Sequence, residues 1–284
     1  MSPPADPLSE RLCSITSLDD PRVAHYRHVR EADLVGRRGV FIAEGEVVLA
    51  ALAEQRRYAA KSVLIGENRV DKLRPVLAKM APSVPIYVTT GALMDQLAGF
   101  KIHRGVLAVG ERIGPVDPDS LLDGLPAGPS TVVALEALTN HDNVGGIFRN
   151  ANAFGAAAVL LDRRCCDPLY RKAIRVSAGC ALRVPFARFD STEALVGGLQ
   201  QRGYAVLALS PSRDGIELSE FGHHRPAPER LALLLGTEGP GLSKTDLGLA
   251  DQVVRVDIEA GVDSLNVATT AGIALHWFRM ALHP

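Results

Sequence analysis

Four uninterrupted apolar runs in the C-terminal part of the chain place the strongest limit on its fold: TVVALEA from Thr131, AAAVLLD from Ala156, YAVLALS from Tyr204 and RLALLLG from Arg230. Strands with one wet face alternate apolar and polar residues. Strands that are apolar throughout are covered on both faces, as in a parallel sheet flanked by helices. The segments between them read as helices. NVGGIFRNANAF is expected to be entered through Asp142 or Asn143 and closed by Gly155, and PLYRKAIRVSAG and EALVGGLQQRG follow the same pattern. The part is therefore α/β with a mainly parallel sheet. In such sheets ligands bind beyond the carboxyl ends of strands, which is where LLLGTEGPGLS and VDIEAGVDSLN put their Gly-rich loops.

The stretch from Val256 to Leu275 is the most informative of these. Val253, Val254 and Val256 form a β-branched strand run, Gly261 supplies a turn, and Ser264 or Asn266 can cap a helix that Val267 to Phe278 continues. Such a helix start presents backbone N–H groups that a ligand can satisfy. Upstream, from Gly39, GVFIAEGEVVLAALAEQ, KSVLIG, RVDKLRPVLAKM, VPIYV, GALMDQLAGF and GVLAVG alternate strand and helix patterns, which describes a smaller α/β domain. RIGPVDPDSLLDGLPAGPS is dense in Pro, Gly and Asp and reads as a linker. The expected layout is an N-terminal extension over 1–30, disordered over the opening MSPPADP, a domain over 31–110, a linker over 111–130 and a second domain over 131–284.

Composition narrows the function classes. The formal net charge of −1 does not announce a polyanion binder, but Arg163, Arg164, Arg171, Lys172, Arg175 and Arg183 fall in a stretch whose single acid is Asp167. A local cationic patch and a solvated helix face are equally compatible with that run. No apolar run approaches the roughly 20 residues of a membrane helix, and the opening lacks the pattern of a signal peptide, so a cytoplasmic location without membrane association is expected. Cys13, Cys165, Cys166 and Cys180 have neither C-x-x-C spacing nor a neighbouring His cluster. They are expected to be reduced and mostly buried, with no metal site.

Familiar Gly-loop chemistries fail on their required residues. GTEGPG has phosphate-loop spacing, but Leu242 and Ser243 stand where Lys and a hydroxyl residue are needed. NHDNVGG supplies no dinucleotide fingerprint, and no G-x-S-x-G elbow surrounds Ser264.

Three blocks taken together, NHDNVGGIFRNANAFG, LLLGTEGPGLS and GVDSLNVATTAGIAL, resemble in order and spacing the three motifs of the SpoU/TrmH branch of the SPOUT methyltransferases. These enzymes transfer methyl from S-adenosylmethionine to a ribose 2′-hydroxyl of RNA. The resemblance covers about the last 155 residues. VFIAEGEVVLAAL and GVLAVG resemble more loosely the ribosomal-protein-like α/β domain with which many members grip RNA.

The resemblance implies a trefoil-knotted C-terminal domain, a homodimer with each cofactor pocket at the subunit interface, and no metal. It places Asn143 and Arg149 in the first motif, Glu238 in the second, and Ser264 with Asn266 in the third, as the catalytic set. Leu235, Gly236, Val256, Ile258 and Leu265 would hold S-adenosylmethionine. Read singly, Asn143 could be an N-cap, Glu238 a first-turn acid and Arg149 a solvated helix residue. His141 is expected to be structural or to face RNA. Gly146 and Ala268 depart from the family pattern, the glycine at a cost of about 1 kcal/mol of helix propensity. The N-terminal domain favours ribosomal RNA over transfer RNA as substrate. The alternatives are a transfer-RNA 2′-O-methyltransferase and an RNA-binding or assembly factor with a vestigial pocket.

Overall fold

The computed structural model describes residues 8–27, 39–114, 116–212, 214–221 and 228–282. The opening MSPPADP, expected to be disordered, lies outside the described residues. The chain divides into two compact units. One comprises the described residues through Gly114 together with Leu169–Arg183, and the other holds Pro115–Pro168 and Val184–Pro284.

The first unit is built on a five-stranded sheet. Its elements are β1 (Leu12–Ser14), β2 (Val40–Glu44), α1 (Glu46–Glu54), β3 (Tyr58–Gly66), α2 (Val70–Leu77), β4 (Ile86–Thr89), α3 (Gly91–Ala98) and β5 (Val106–Arg112). The strand order is β1-β4-β3-β5-β2, with β1, β4 and β3 mutually parallel and β5 antiparallel to both of its neighbours. Residues 8–27, assigned from sequence to an extension, take part in this unit. Ile15, Val23 and Tyr26 enter its core beside Ile42, Leu64 and Met94, and the Tyr26 hydroxyl lies 2.7 Å from Ser62 Oγ. Burying these apolar side chains outweighs the weak local pattern that hid the segment.

The rest of the chain supplies, in order, α4 (Pro118–Asp123), β6 (Ser130–Leu135), α5 (His141–Phe154), β7 (Ala158–Asp162), α6 (Arg171–Val176), α7 (Cys180–Arg183), β8 (Phe186–Phe189), α8 (Thr192–Gln201), β9 (Ala205–Leu209), β10 (Ile216–Glu217), α9 (Leu218–Phe221), β11 (Arg230–Leu235), α10 (Lys244–Leu249), β12 (Gln252–Arg255) and α11 (Val267–Leu282). Helix α4 lies inside the stretch read as linker, capped by the Asp117 carboxylate.

The strands of the second unit pair in the order β10-β12-β9-β11-β6-β7-β8, and every pair is parallel. Leu231, Ala232, Leu233 and Leu234 are fully buried, as the continuous apolar run requires. This is the mainly parallel α/β arrangement that the apolar runs imply.

Helices α6 and α7 belong to the first unit although they follow β7 in sequence. The stretch read as a helix, PLYRKAIRVSAG, ends where Ala178 and Gly179 take φ of 51° and 82°, and α7 follows directly. Gly179 sits against α1, where an added Cβ would meet Ala51 Cβ at 3.1 Å.

Candidate active site

Beyond the carboxyl ends of β9, β11 and β12, adjacent in the sheet, lies a cavity of about 370 Å³. All five residues expected to hold the cofactor line it: Leu235, Gly236, Val256, Ile258 and Leu265. Glu238, Ser264 and Asn266 of the catalytic set join them, with Thr270 and, at the end of β9, Leu209, Ser210 and Pro211. Sequence reading missed the β9 contribution. The signal was the end of the YAVLALS run, because a parallel strand next to β11 delivers its carboxyl end to the same side. Val256, read as part of the strand, lies one residue past β12, in the loop that lines the cavity.

Gly236 is fixed by a close approach of backbone to backbone. A Cβ there would stand 2.4 Å from Leu242 N and 2.5 Å from the carbonyl carbon of Gly241. The segment Thr237–Gly241 folds back on itself, Gly241 N–H donating to Thr237 O at 3.1 Å, and presents Glu238. Glu238 is therefore not in the first turn of a helix; α10 begins later, capped by Ser243.

Helix α5 starts earlier than its sequence suggested. Asn140 is its N-cap, accepting from Asp142 N–H at 2.9 Å, and Gly155 closes it in the left-handed conformation with φ 76°. Four cap-competent or polar residues stand in a row here, and the first of them takes the cap. Asn143 is thereby released from capping and, only 4% exposed, points its amide into the site. Its Nδ2 donates to Glu238 Oε1, and its Oδ1 accepts from Asn266 Nδ2 at 2.8 Å. Asn266 Oδ1 in turn accepts from Ala268 N–H at 2.9 Å and from Thr269 N–H at 3.3 Å, which caps α11. One relay of amides thus ties residues of all three motifs to one another. A buried amide carries a large penalty unless both of its ends are bonded, and here both are.

Arg149 stands apart from this relay. It is exposed on α5 and lines a shallow groove with Gly146, Asn150, Ala268, Gly272 and His276. Among the described residues it makes no hydrogen bond or ion pair, while Asn143 and Glu238 pair with each other. The first turn of α11 separates the two sites, with Val267 and Thr270 toward the cavity and Ala268 and Thr269 toward the groove. Here α5 and α11 pack closely. A Cβ on Gly146 would stand 2.9 Å from Ala268 Cβ, and one on Gly272 would stand 2.9 Å from Asn150 Nδ2, which donates to Ala268 O at 2.7 Å. The two departures from the family pattern, Gly146 and Ala268, therefore face each other.

The cationic run is largely neutralised. Arg163 pairs with Asp190, Arg164 with Glu136 and Asp162, Arg171 with Glu44, and Arg183 with Glu54. Burial opposes the charge on Asp162, yet hydrogen bonds from Arg164, Cys165 and Ala137 hold its carboxyl below the usual range. Burial pushes the Cys165 and Cys166 thiols up to about 12. None of the four cysteines is in a disulfide, but only Cys165 is buried; the other three are half-buried. Among the described residues no group of three or more side chains could hold a metal, and no helix is long and apolar enough to cross a membrane.

Residues 130–276 match the SpoU rRNA Methylase family. The chain is 36% identical over 262 residues to an uncharacterized tRNA/rRNA methyltransferase of Mycobacterium bovis, covering 91% of this chain and 88% of that one. In structure it is similar to an AdoMet-bound rRNA methyltransferase from Sinorhizobium meliloti, with a TM-score of 0.80, 24% identity and coverage of 96% of this chain and 100% of that one. It is also similar to the SpoU methyltransferase AviRb from Streptomyces viridochromogenes in complex with AdoMet, with a TM-score of 0.75, 21% identity and coverage of 92% and 97%. The motif residues gathered around one cavity, the parallel sheet that carries them and these matches lead to one assignment: the chain belongs to the SpoU family of S-adenosylmethionine-dependent RNA methyltransferases.

Proposed function

We propose that this protein methylates a ribose 2′-hydroxyl of RNA, with ribosomal RNA favoured over transfer RNA, and that it works as a homodimer. The observation that carries the reading is the relay from Glu238 through Asn143 to Asn266, which holds three distant motifs around one cavity. The cavity fits the donor by its chemistry. Leu209, Leu235, Val256, Ile258 and Leu265 offer apolar walls, and backbone at Gly236 and in the loop before α11 offers polar groups, so these residues would hold S-adenosylmethionine. When bound, it supplies a methyl group already activated on a sulfonium.

The remaining demand on the protein is placement of the ribose oxygen and stabilisation of the charge that oxygen develops as its proton leaves to water. A guanidinium keeps its protons at all ordinary pH, so Arg149 is assigned to electrostatics: it pairs bidentately with an RNA phosphate and stabilises the developing alkoxide. Its exposure, and the lack of a partner among the described residues, leave it open for that contact. Asn266 is committed to Asn143 and to the cap, so its role is to fix the loop; Ser264, exposed at the cavity, is the residue assigned to the hydroxyl. The homodimer reading is supported by Ile273 and Met280, large apolar residues exposed on α11.

The test is transfer of radiolabelled methyl from S-adenosylmethionine into unmodified ribosomal and transfer RNA separately, followed by alkaline hydrolysis. A 2′-O-methyl group removes the internal nucleophile that cleaves the neighbouring phosphodiester, so label is expected in alkali-resistant dinucleotides from ribosomal RNA. Label confined to mononucleotides would show base methylation and sink the ribose reading.

A further inference from the structure

The first motif is reached through residues 136–140, which join β6 to α5. This loop contains a strained backbone. Ala137 has φ 53°, in the left-handed region where an L side chain crowds the carbonyl that follows it. Such a conformation persists only where its surroundings over-determine it. Here the surroundings are the carboxyl end of β7, which lies outside all three motifs.

Asp162, the last residue of β7 and only 6% exposed, does most of the holding. Its Oδ1 accepts from Ala137 N–H at 3.1 Å, from Arg164 N–H at 3.0 Å and from Cys165 N–H at 2.8 Å, while its Oδ2 accepts from Arg164 Nε at 2.8 Å. Arg164 in turn donates to Glu136 Oε1 at 2.6 Å, on the residue before Ala137. Cys165 and Cys166 grip the residue after it. Leu138 N–H donates to Cys165 Sγ at 3.3 Å, and Leu138 O accepts from Cys166 N–H at 2.9 Å. A carboxylate is costly to bury, and this one has its own loop and the approach to the first motif as its partners.

What the clamp fixes is the relay. Asn140 caps α5 three residues after Ala137, and Asn143, one turn further on, bonds both ends of its amide, to Glu238 and to Asn266. We infer that Asp162 is a positioning residue for the donor cavity: by holding Ala137 in its left-handed conformation it sets where α5 begins, and so where Asn143 meets Glu238 and Asn266. The inference rests on the relay that carries the proposed function, and it extends the working site to a strand that bears none of the three motifs.

The experiment measures S-adenosylmethionine affinity by calorimetry on the full chain without RNA, so its result is independent of which RNA atom is methylated. Asp162→Ala is expected to weaken binding about tenfold, the scale of one lost hydrogen bond to a charged group. Ala137→Gly alone should bind within about twofold of wild type, and added to Asp162→Ala it should recover most of the loss, because glycine occupies positive φ without a clamp. The double variant Asp162→Ala/Asn143→Ala should bind no more weakly than the weaker of the two single variants, since both changes act through one relay. If Asp162→Ala does not fold, Asp162→Asn, which keeps Oδ1 but loses the acceptor facing Arg164, is carried through the same set with a smaller expected loss. Wild-type affinity in the folded Asp162 variant, a loss that Ala137→Gly leaves untouched, or losses that add in the double variant would each overturn the inference; so would failure of the wild-type protein to bind the donor. Methyl transfer absent from a protein that meets these binding expectations would count against the proposed reaction alone.

Discussion

The cavity and the groove on the two sides of the first turn of α11 differ in how their polar side chains are used. At the cavity, Asn143 and Asn266 each have both ends of their amide bonded, to Glu238, to each other or to backbone. In the groove, Arg149 is exposed and has no partner among the described residues, although it stands on the same helix six residues after Asn143. Groups that hold a shape are bonded before the ligand arrives, and a group that meets a transient charge is left open for it.

Arg149→Ala tests that division most severely. Turnover is expected to fall by about 10²–10³-fold, the usual cost of removing a charge-stabilising donor, while S-adenosylmethionine affinity measured by calorimetry stays within about twofold. Arg149→Lys should recover only part of the rate, because an ammonium lacks the planar fork. A parallel loss of cofactor affinity in Arg149→Ala would erase the distinction between the two sites.

Asn143→Ala is expected to do the opposite. It strands the Glu238 and Asn266 side chains, costing about 1–3 kcal/mol in denaturant unfolding and weakening cofactor binding at the same time. Unchanged stability with lost turnover would move Asn143 into the class of Arg149.

The packing between the two sites sets a smaller effect. Gly146→Ala gains about 1 kcal/mol of helix propensity but drives a methyl to 2.9 Å from Ala268 Cβ, so a net loss of about 1 kcal/mol is expected. Adding Ala268→Gly to it should relieve the clash and recover part of that loss in denaturant unfolding. The smallest effect concerns Cys165 and Cys166. With thiols pushed up to about 12, they should resist iodoacetamide at pH 8 in the folded protein and react after denaturation, as read by mass spectrometry.

The seven-stranded sheet was legible because its buried strands are continuous apolar runs, a pattern that local sequence carries in full. Strand β8 was not, since Phe186–Phe189 interrupts its apolar residues with Arg188, and β10 is only two residues long. The cavity residues were found because the three motifs carry them at fixed positions. The relay was not, for its partners are 95 and 123 residues apart and a row of cap-competent residues disguised Asn143. Helix α7 escaped because it is only four residues long, too short to show a period, and follows directly on the left-handed Ala178 and Gly179 that close α6. The cationic run was legible as charge but not as a set of ion pairs, because the acids that answer it lie in other segments.

The split of the first unit between residues up to Gly114 and Leu169–Arg183 has a consequence for biosynthesis. During translation the N-terminal sheet emerges without the piece that supplies Arg171 to Glu44 and Gly179 to α1. Until α7 has left the ribosome, a carboxylate and an apolar helix face wait uncovered, so the smaller unit cannot finish folding before β6, α5 and β7 have been made. Cutting the gene after Gly114 would yield a fragment with an open flank, whereas a fusion that appends residues 169–183 through a short Gly/Ser linker would return its missing wall.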